Sequence, residues 1–151
     1  MYIEPENGII TLTRGDTLTT PIRINVGTKL NPVYKKLGEL DTLYFALMEP
    51  NQAFEDAVVK KVYNHNSETD EEGNVLLKLK SSDTEKLLVG KYYYTVKLRS
   101  YDEYGEEYVR TIISNTLFWL EGNNPVPDKV EYYEKDKYQI DEIVYEGGEI
   151  L

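Results

Sequence analysis

The sequence predicts an all-β protein, an antiparallel β-sandwich of about seven strands in which two sheets pack face to face. Three observations support this prediction. Apolar and polar residues alternate with a period of two in seven separate segments, as expected of strands with one buried face. Turn-forming residues separate these segments at the short spacing typical of sandwiches. Tyrosine, which is enriched in strands, occurs 14 times, against 3 Phe and 1 Trp.

The first two predicted strands, 8–13 and 17–26, are joined by a turn at residues 14–16. Pro21 interrupts the second strand, and proline cannot donate a hydrogen bond to a neighbouring strand. We therefore expect an edge position or a bulge there. Residues 27–40 contain Gly27, Asn31-Pro32 and Gly38 and are predicted to form a long loop.

The middle of the sandwich is predicted from three further strands. Residues 42–48 are almost continuously apolar, which indicates a strand covered on both sides. Strands 57–63 and 74–79 follow, and a polar connection separates them. Residues 81–88 are predicted to contain one helical turn, with Ser82 as its cap and Glu85 three residues later.

The strongest strand signal is at residues 92–100, where Tyr92, Tyr94, Val96 and Leu98 share one face. Tyr92 opens this strand just after Gly90, which matches the tyrosine corner of Ig-like sandwiches. We expect its phenol to hydrogen-bond to the backbone upstream and to stabilise the crossover. The predicted fold is therefore an Ig-like antiparallel β-sandwich with a structural tyrosine corner at Gly90 and Tyr92.

The last predicted strand, 107–120, changes its apolar face near Ser114-Asn115, which predicts a bulge there. It completes a sandwich domain over residues 1–121. The composition then changes, because residues 121–151 contain nine acidic and three basic residues, a net −6 of the total −10. Residues 122–151 are therefore predicted to be a short, extended, acidic and tyrosine-rich C-terminal tail.

Two interpretations of this tail remain open. It is too polar to form a core of its own, so it is either a flexible solvated tail or a segment that docks on a neighbouring subunit. In the second case residues 139–145 would add a strand to the neighbour. The predicted partner-binding residues are Tyr132, Tyr133, Tyr138, Ile140, Ile143 and Tyr145.

Composition argues against several classes of function. The net charge is −10, and the closest basic residues are the isolated pairs 35–36 and 60–61, so we expect no binding to nucleic acid or to an anionic membrane. We also expect no transmembrane segment and no signal peptide. The absence of cysteine excludes disulfides, thiol catalysis and zinc–thiolate sites, and favours synthesis in a reducing cytoplasm.

Candidate catalytic and metal sites are weak. His65 is the only histidine and has no cysteine or second histidine to act with. Oxygen-bearing side chains alternate along 64–70 as in a calcium loop, but Thr69 and Val75 stand where that loop requires Gly and Glu. We therefore expect a solvated hairpin, no metal, no cofactor, no catalytic residue and no enzymatic activity.

Exposed tyrosines supply an alternative function. Tyr93, Tyr101 and Tyr104 could stack on sugar rings, as in a carbohydrate-binding module. The competing interpretation is that Tyr93 pairs with neighbouring strands inside the sheet.

The order of these features resembles a known family. Residues 10–17, the strand 43–48, Asp83-Thr84, the segment 88–94 and the closing strand to Trp119 carry the likeness, which spans residues 8–121. They are similar to the N-terminal Ig-like domain of phage baseplate upper proteins and related small tailed-phage structural proteins.

This resemblance implies a non-catalytic virion component, in a tail, a baseplate or a head decoration, that is assembled in the cytoplasm of a bacterial host. Its partners would be other virion structural proteins, and it would be oligomeric or part of a larger assembly. The short acidic tail stands where family members continue into a fibre-like region, which favours an adaptor or decoration role.

Overall fold

The computed structural model describes residues 2–3 and 8–122. Within them the chain forms ten strands and two single-turn helices. The strands are β1 (Tyr2–Ile3), β2 (Ile10–Thr13), β3 (Leu18–Ile22), β4 (Ile24–Asn25), β5 (Tyr34–Lys35), β6 (Thr42–Met48), β7 (Val59–Tyr63), β8 (Val75–Leu79), β9 (Gly90–Tyr101) and β10 (Glu107–Glu121). The helices are a 3₁₀ turn (Phe54–Asp56) and α1 (Ser81–Thr84). The predicted all-β fold class is confirmed.

The strands form one large and two small sheets. The six-stranded sheet has the order β1-β2-β10-β9-β6-β7, and β3 pairs with β8 and β4 with β5. One pairing departs from the expected antiparallel pattern, because β10 and β2 are parallel, with Phe118 opposite Ile10 and Leu120 opposite Leu12. All four of these side chains are buried, so the parallel register places the apolar faces of the first and last long strands on the same side.

A single core lies between the six-stranded sheet and the β3–β8 sheet. We call the side of the large sheet that faces β3–β8 its inner face, and the opposite side its outer face. Buried side chains from both layers form one cluster, which includes Leu18, Ile22, Val75, Leu77 and Leu79 from the small sheet and Leu12, Leu43, Phe45, Leu47, Val96, Leu98 and Phe118 from the large one. The two sheets therefore bury each other's apolar faces.

The segment around Pro21 is more broken than the sequence predicts. The strand expected over 17–26 divides at Arg23 into β3, which pairs with β8, and β4, which pairs with β5. The register with β8 runs only from Leu18 to Ile22, so the chain changes partner there. The loop expected over 27–40 contains the short strand β5. The edge position expected for Pro21 is confirmed, because β3 pairs with β8 alone among the described strands.

Helix α1 is present, but Ser82 does not cap it. The N-cap residue is Lys80, and its backbone N–H donates to the Asp83 carboxylate over 2.7 Å. Asp83 also pairs with Lys61 at 2.8 Å. Burial opposes the ionisation of Asp83, but the hydrogen bonds from Lys61 and from the Lys80 backbone outweigh it and lower its pKa.

Strand β9 has the predicted alternation. Tyr92, Tyr94, Val96 and Leu98 are all buried on the inner face. The hydrogen bond expected of Tyr92 is present, because its phenol donates to the Leu88 carbonyl over 2.6 Å.

The neighbouring phenol, Tyr94, ties down the segment that precedes β2 by donating to the Gly8 carbonyl. Its ring packs against Phe45 with 5.7 Å between ring centroids. Burial raises the pKa of Tyr94 to about 12.

The bulge expected near Ser114-Asn115 is also present. The register between β9 and β10 shifts twice between Thr111 and Thr116, and Asn115 adopts a positive φ of 39°. Asparagine tolerates this left-handed conformation better than most residues. The bulge allows β10 to present apolar side chains to the core at Phe118 and Leu120 after a more exposed first half.

We predict that Tyr92→Phe destabilises the protein by about 1 kcal/mol, because it removes one hydrogen bond but keeps the buried ring. Urea unfolding monitored by circular dichroism would measure this. Tyr93→Phe is the matched control, since Tyr93 lies on the opposite face of the same strand and its hydroxyl makes no hydrogen bond with the described residues. Equal stability of the two variants would show that the bond to Leu88 contributes nothing.

Candidate outer-face binding site

The outer face of the six-stranded sheet is the candidate functional surface. No second sheet of the described residues covers it, since the β3–β8 sheet packs on the inner face. Its side chains belong to the residues that alternate with the buried core residues along each strand. The main contributors are Tyr44 on β6, Lys60 and Val62 on β7, Lys91, Tyr93, Lys97 and Arg99 on β9, and Val109, Thr111, Leu117 and Trp119 on β10.

Three cations on this face lie against aromatic rings. Lys91 Nζ is 5.6 Å from the centre of the Trp119 ring, and Lys97 Nζ is 4.6 Å from that of Phe54. The Arg99 guanidinium lies 5.8 Å from the Tyr44 ring. All three bases come from β9, at positions that alternation directs outward. Cation–ring contacts of this kind orient a side chain without neutralising its charge.

The two lysines keep their charge available. Arg99 has a carboxylate nearby, because its Nε lies 3.6 Å from a Glu107 oxygen. Among the described residues, neither Lys91 nor Lys97 has a carboxylate oxygen within 4.0 Å. In a chain of net charge −10, the outer face therefore presents unpaired ammonium groups, two of which, Lys91 and Lys97, lie beside aromatic rings.

A groove lies beside the β10 bulge. Thr95 and Asn115 hold its floor through two hydrogen bonds of 3.1 Å, one from the threonine hydroxyl to the amide oxygen and one from the Asn115 backbone N–H to that hydroxyl. The larger of two adjoining cavities has a volume of about 420 Å³. It is lined by Met48, Glu49, Pro50, Asn51, Gln52, Tyr93 and Asn115.

Both non-glycine residues with positive φ in the described chain, Asn51 at 66° and Asn115 at 39°, line this groove. The side chains around it combine an aromatic ring with amides and a carboxylate. This is a chemistry that can hold a polar ligand against a ring.

The exposed tyrosines predicted from the sequence do not form one platform. Tyr93 pairs in register with Met48 and Leu117, as the cross-strand interpretation expects, and is only partly exposed. Tyr101 lies eight residues further along β9, roughly 26 Å away at ordinary strand rise, and Tyr104 is in the hairpin turn.

Trp119 is the aromatic neighbour of Tyr93 that sequence reasoning missed. It lies two residues beyond Leu117 on β10, so it is diagonal to Tyr93 on the same face. It is 41% exposed. The signal that could have found it was its alternation with Phe118 and Leu120, because both of these residues belong to the core.

The partner-binding residues predicted in the tail lie outside the described residues: Tyr132, Tyr133, Tyr138, Ile140, Ile143 and Tyr145. The described chain ends at Gly122, one residue beyond β10, where an added Cβ would lie 3.6 Å from Val89. The segment that follows therefore starts next to the Trp119 end of the outer face.

Among the described residues, Asp41 has the most buried carboxylate, and it belongs to the scaffold. Ser100 donates a hydroxyl hydrogen bond to it, the Gly38 N–H donates over 2.6 Å, and Lys35 Nζ lies 3.0 Å away. Burial opposes ionisation of Asp41, but the bonds from Ser100, Gly38 and Lys35 outweigh it and lower its pKa. Its oxygens are occupied by the loop and strand that they join, so Asp41 has no free position for a substrate.

In the polar loop 64–74, the Asp70 carboxylate is likewise occupied by hydrogen bonds from within the loop. Asp70 accepts backbone N–H bonds from Glu72 and Asn74 over 2.9 and 2.8 Å, and the bond from the Asn74 backbone is the main cause of its lowered pKa. Within residues 2–3 and 8–122, no three His, Asp or Glu side chains come together as a metal ion would require. No helix in this part of the chain is long and apolar enough to cross a lipid bilayer.

Comparison with protein-family models, with curated proteins and with solved structures finds no match to this chain.

We predict that Asp41→Asn destabilises the protein at neutral pH by about 1–3 kcal/mol, because it weakens buried hydrogen bonds to a charged group. A pKa below the ordinary 3.8 means that the ionised carboxylate stabilises the fold above that pH. The contribution is lost as pH falls through the folded-state pKa.

The stability difference between the variant and the parent protein should therefore shrink toward acid pH. Urea unfolding at neutral pH and in acid would measure this. Asp16→Asn, at an exposed turn position, is the control and should change little at either pH. A difference for Asp41→Asn that stays constant down to strong acid would contradict the assignment.

Proposed function

We propose that this chain is a non-catalytic assembly domain that binds other proteins through its outer face. In this proposal the inner face and its core supply a rigid scaffold, and the exposed rings and bases of β9 and β10 supply the contacts. The chain works as a component of a larger particle, and it is not an enzyme.

The observation that carries this proposal is the composition of the outer face. Val62 and Val109 are each 61% exposed, and Trp119 lies within the same surface. Aromatic residues and arginine are enriched in protein interfaces and dominate their binding energy, whereas a solvated sheet face is usually polar. Exposed apolar side chains on a sheet face, interspersed with cations, favour a protein partner of complementary charge.

The particle that we propose is the virion of a tailed phage, with the chain in a tail, a baseplate or a head decoration. Support comes from the sequence resemblance over residues 8–121 to Ig-like baseplate upper and related phage structural proteins. Other virion structural proteins would then be its partners. An Ig-like sandwich is the fold that this resemblance implies.

A direct test is to purify the particles of the phage that encodes this chain and to measure the amount of the chain in them by quantitative mass spectrometry. We expect the chain in stoichiometric amounts. Val62→Glu and Val109→Glu should each reduce incorporation by about tenfold, since each places an unpaired charge in the apolar part of the contact.

Leu30→Glu is the matched control, because Leu30 is 91% exposed in the turn between β4 and β5, outside the six-stranded sheet. Its incorporation should equal that of the parent chain. Particles without the chain would rule out the virion role, and equal incorporation of all three variants would rule out the outer face as the contact.

A carbohydrate-binding module is the second candidate, favoured by the groove beside the bulge. Tyr93 offers a ring there, and Gln52 and Asn115 offer amides. An aromatic platform with neighbouring amides is suited to a sugar ring and its hydroxyls.

A glycan array separates the two candidates. Under the assembly proposal we expect the purified chain to bind no glycan. Binding that Tyr93→Ala weakens by about tenfold, and that Tyr104→Ala in the exposed hairpin leaves unchanged, would replace the assembly proposal with the sugar-binding one.

A further inference from the structure

We infer that the acidic segment 123–151 of a second copy of this chain binds the outer face, across Trp119, Lys91 and Lys97. This inference deepens the proposed function and rests on its assignment of the outer face as a contact surface. It names one occupant for that face, and it links successive copies of the chain through head-to-tail contacts.

Charge is the first argument. Residues 8–122 contain 17 acidic and 14 basic residues, a net −3, whereas residues 123–151 contain eight acidic and three basic ones, a net −5. The tail is thus far more acidic for its length. Carboxylates from it would supply the partners that Lys91 and Lys97 lack among the described residues.

The second argument is the pattern of side chains in the tail. Acids and rings adjoin in Glu131-Tyr132-Tyr133-Glu134, and apolar residues recur over 138–145. A segment of this composition has carboxylates to pair with the β9 lysines and rings to contact Tyr93 and Trp119. The outer face offers lysines that can pair with these carboxylates and exposed aromatic side chains that can contact these rings.

The position of the chain exit is the third argument. Trp119 lies opposite Lys91, and Gly122 follows three residues later. β10 therefore ends beside Lys91, so a second copy that lies next to this end of the sheet would bring its outer face within reach of the segment that follows. Twenty-nine residues extend up to about 95 Å. The outward path from Lys91 to Lys97 is only about 20 Å at ordinary strand rise.

Negative charge restricts the path across the face. Glu49, Glu55 and Asp56 lie on the segment that borders the groove, and Glu107 already pairs with Arg99. They would repel an acidic strand at the groove and at the far end of β9. The favourable route is accordingly the part of the face between Trp119 and Lys97, and Glu121, which alternation places on the same face beyond Trp119, limits it at that end.

The experiment uses the full chain and two complementary variants. Lys97→Glu removes a positive charge from the outer face and leaves the tail unchanged. A triple variant, Glu131→Gln with Glu134→Gln and Asp136→Asn, removes three negative charges from the tail and leaves the outer face unchanged. Matched controls are Lys29→Glu, in the turn between β4 and β5, and Glu71→Gln with Glu72→Gln and Glu103→Gln, which removes three exposed acids elsewhere.

Sedimentation over a dilution series is the first readout. We expect the parent chain and both controls to self-associate, and each test variant alone to associate about tenfold more weakly, since a charged pair across the contact is lost. Mixing the two test variants should restore a complex, because the intact tail of one can bind the intact face of the other. High salt should dissociate all these complexes by screening.

Trp119 is the second readout, because it is the only tryptophan in the chain and it lies within the proposed contact. Acrylamide should quench its fluorescence less in the associated parent and in the mixture than in either variant alone. Because acrylamide is uncharged, salt does not alter its access to Trp119 directly. A change in quenching at high salt therefore reports dissociation of the contact.

Several results would overturn the inference. They are a parent chain that stays monomeric, variants that associate as the parent does, a mixture that restores nothing, or association that leaves Trp119 equally open to the quencher. Should Lys97→Glu fail to fold by circular dichroism, the tail variant decides by itself, because its substitutions lie outside the described core. Incorporation into particles is measured separately, so the assembly role can stand when the tail contact fails.

Discussion

The structure depends on burial of one face of β9 between two sheets. Tyr92, Tyr94, Val96 and Leu98 are at most 5% exposed, and β9 lies between β10 and β6 in the large sheet. Because side chains alternate along a strand, burial of these four directs the residues between them to the opposite face. The outer-face bases Lys91, Lys97 and Arg99 therefore have their orientation determined by the core.

Polar tethers hold the loops to this core. The Tyr92 phenol bonds to Leu88 just before β9, the Tyr94 phenol bonds to Gly8, and Asp41 joins the loop before β6 to Ser100. Each tether joins a buried side chain of β9 to a segment that precedes a strand. A buried polar group without such a partner is costly, so the same bonds satisfy the core and position the loops.

The outer face has a different character. On this side Thr95 is buried next to the β10 bulge, while the rings and bases around it stay accessible. Cation–ring contacts hold Lys91 and Lys97 against the sheet without neutralising them. A partly apolar surface with unpaired positive charge thus occurs on a chain whose residues 123–151 are strongly acidic, and the contact that we propose between copies would join the two.

The amino-acid sequence by itself determined the local features. Alternation revealed the strands and the buried face of β9, the change of face near Asn115 revealed the bulge, and Tyr92 after Gly90 predicted its backbone bond. These depend on residues close together in the chain, where steric and hydrophobic preferences act directly. For the candidate site, the predicted buried face of Tyr92, Tyr94, Val96 and Leu98 leaves Tyr93, Lys97 and Arg99 on the opposite face of the strand.

Only the tertiary structure decided which strands are neighbours and which side chains meet. The parallel pairing of β2 with β10, the division at Arg23 and the placing of Lys97 on the Phe54 ring all join segments distant in sequence. Alternation is the same whichever strand lies alongside, so it contains no information about partners or register across the sheet. Those are selected by how the whole set of apolar faces packs together, which is a property of the folded chain.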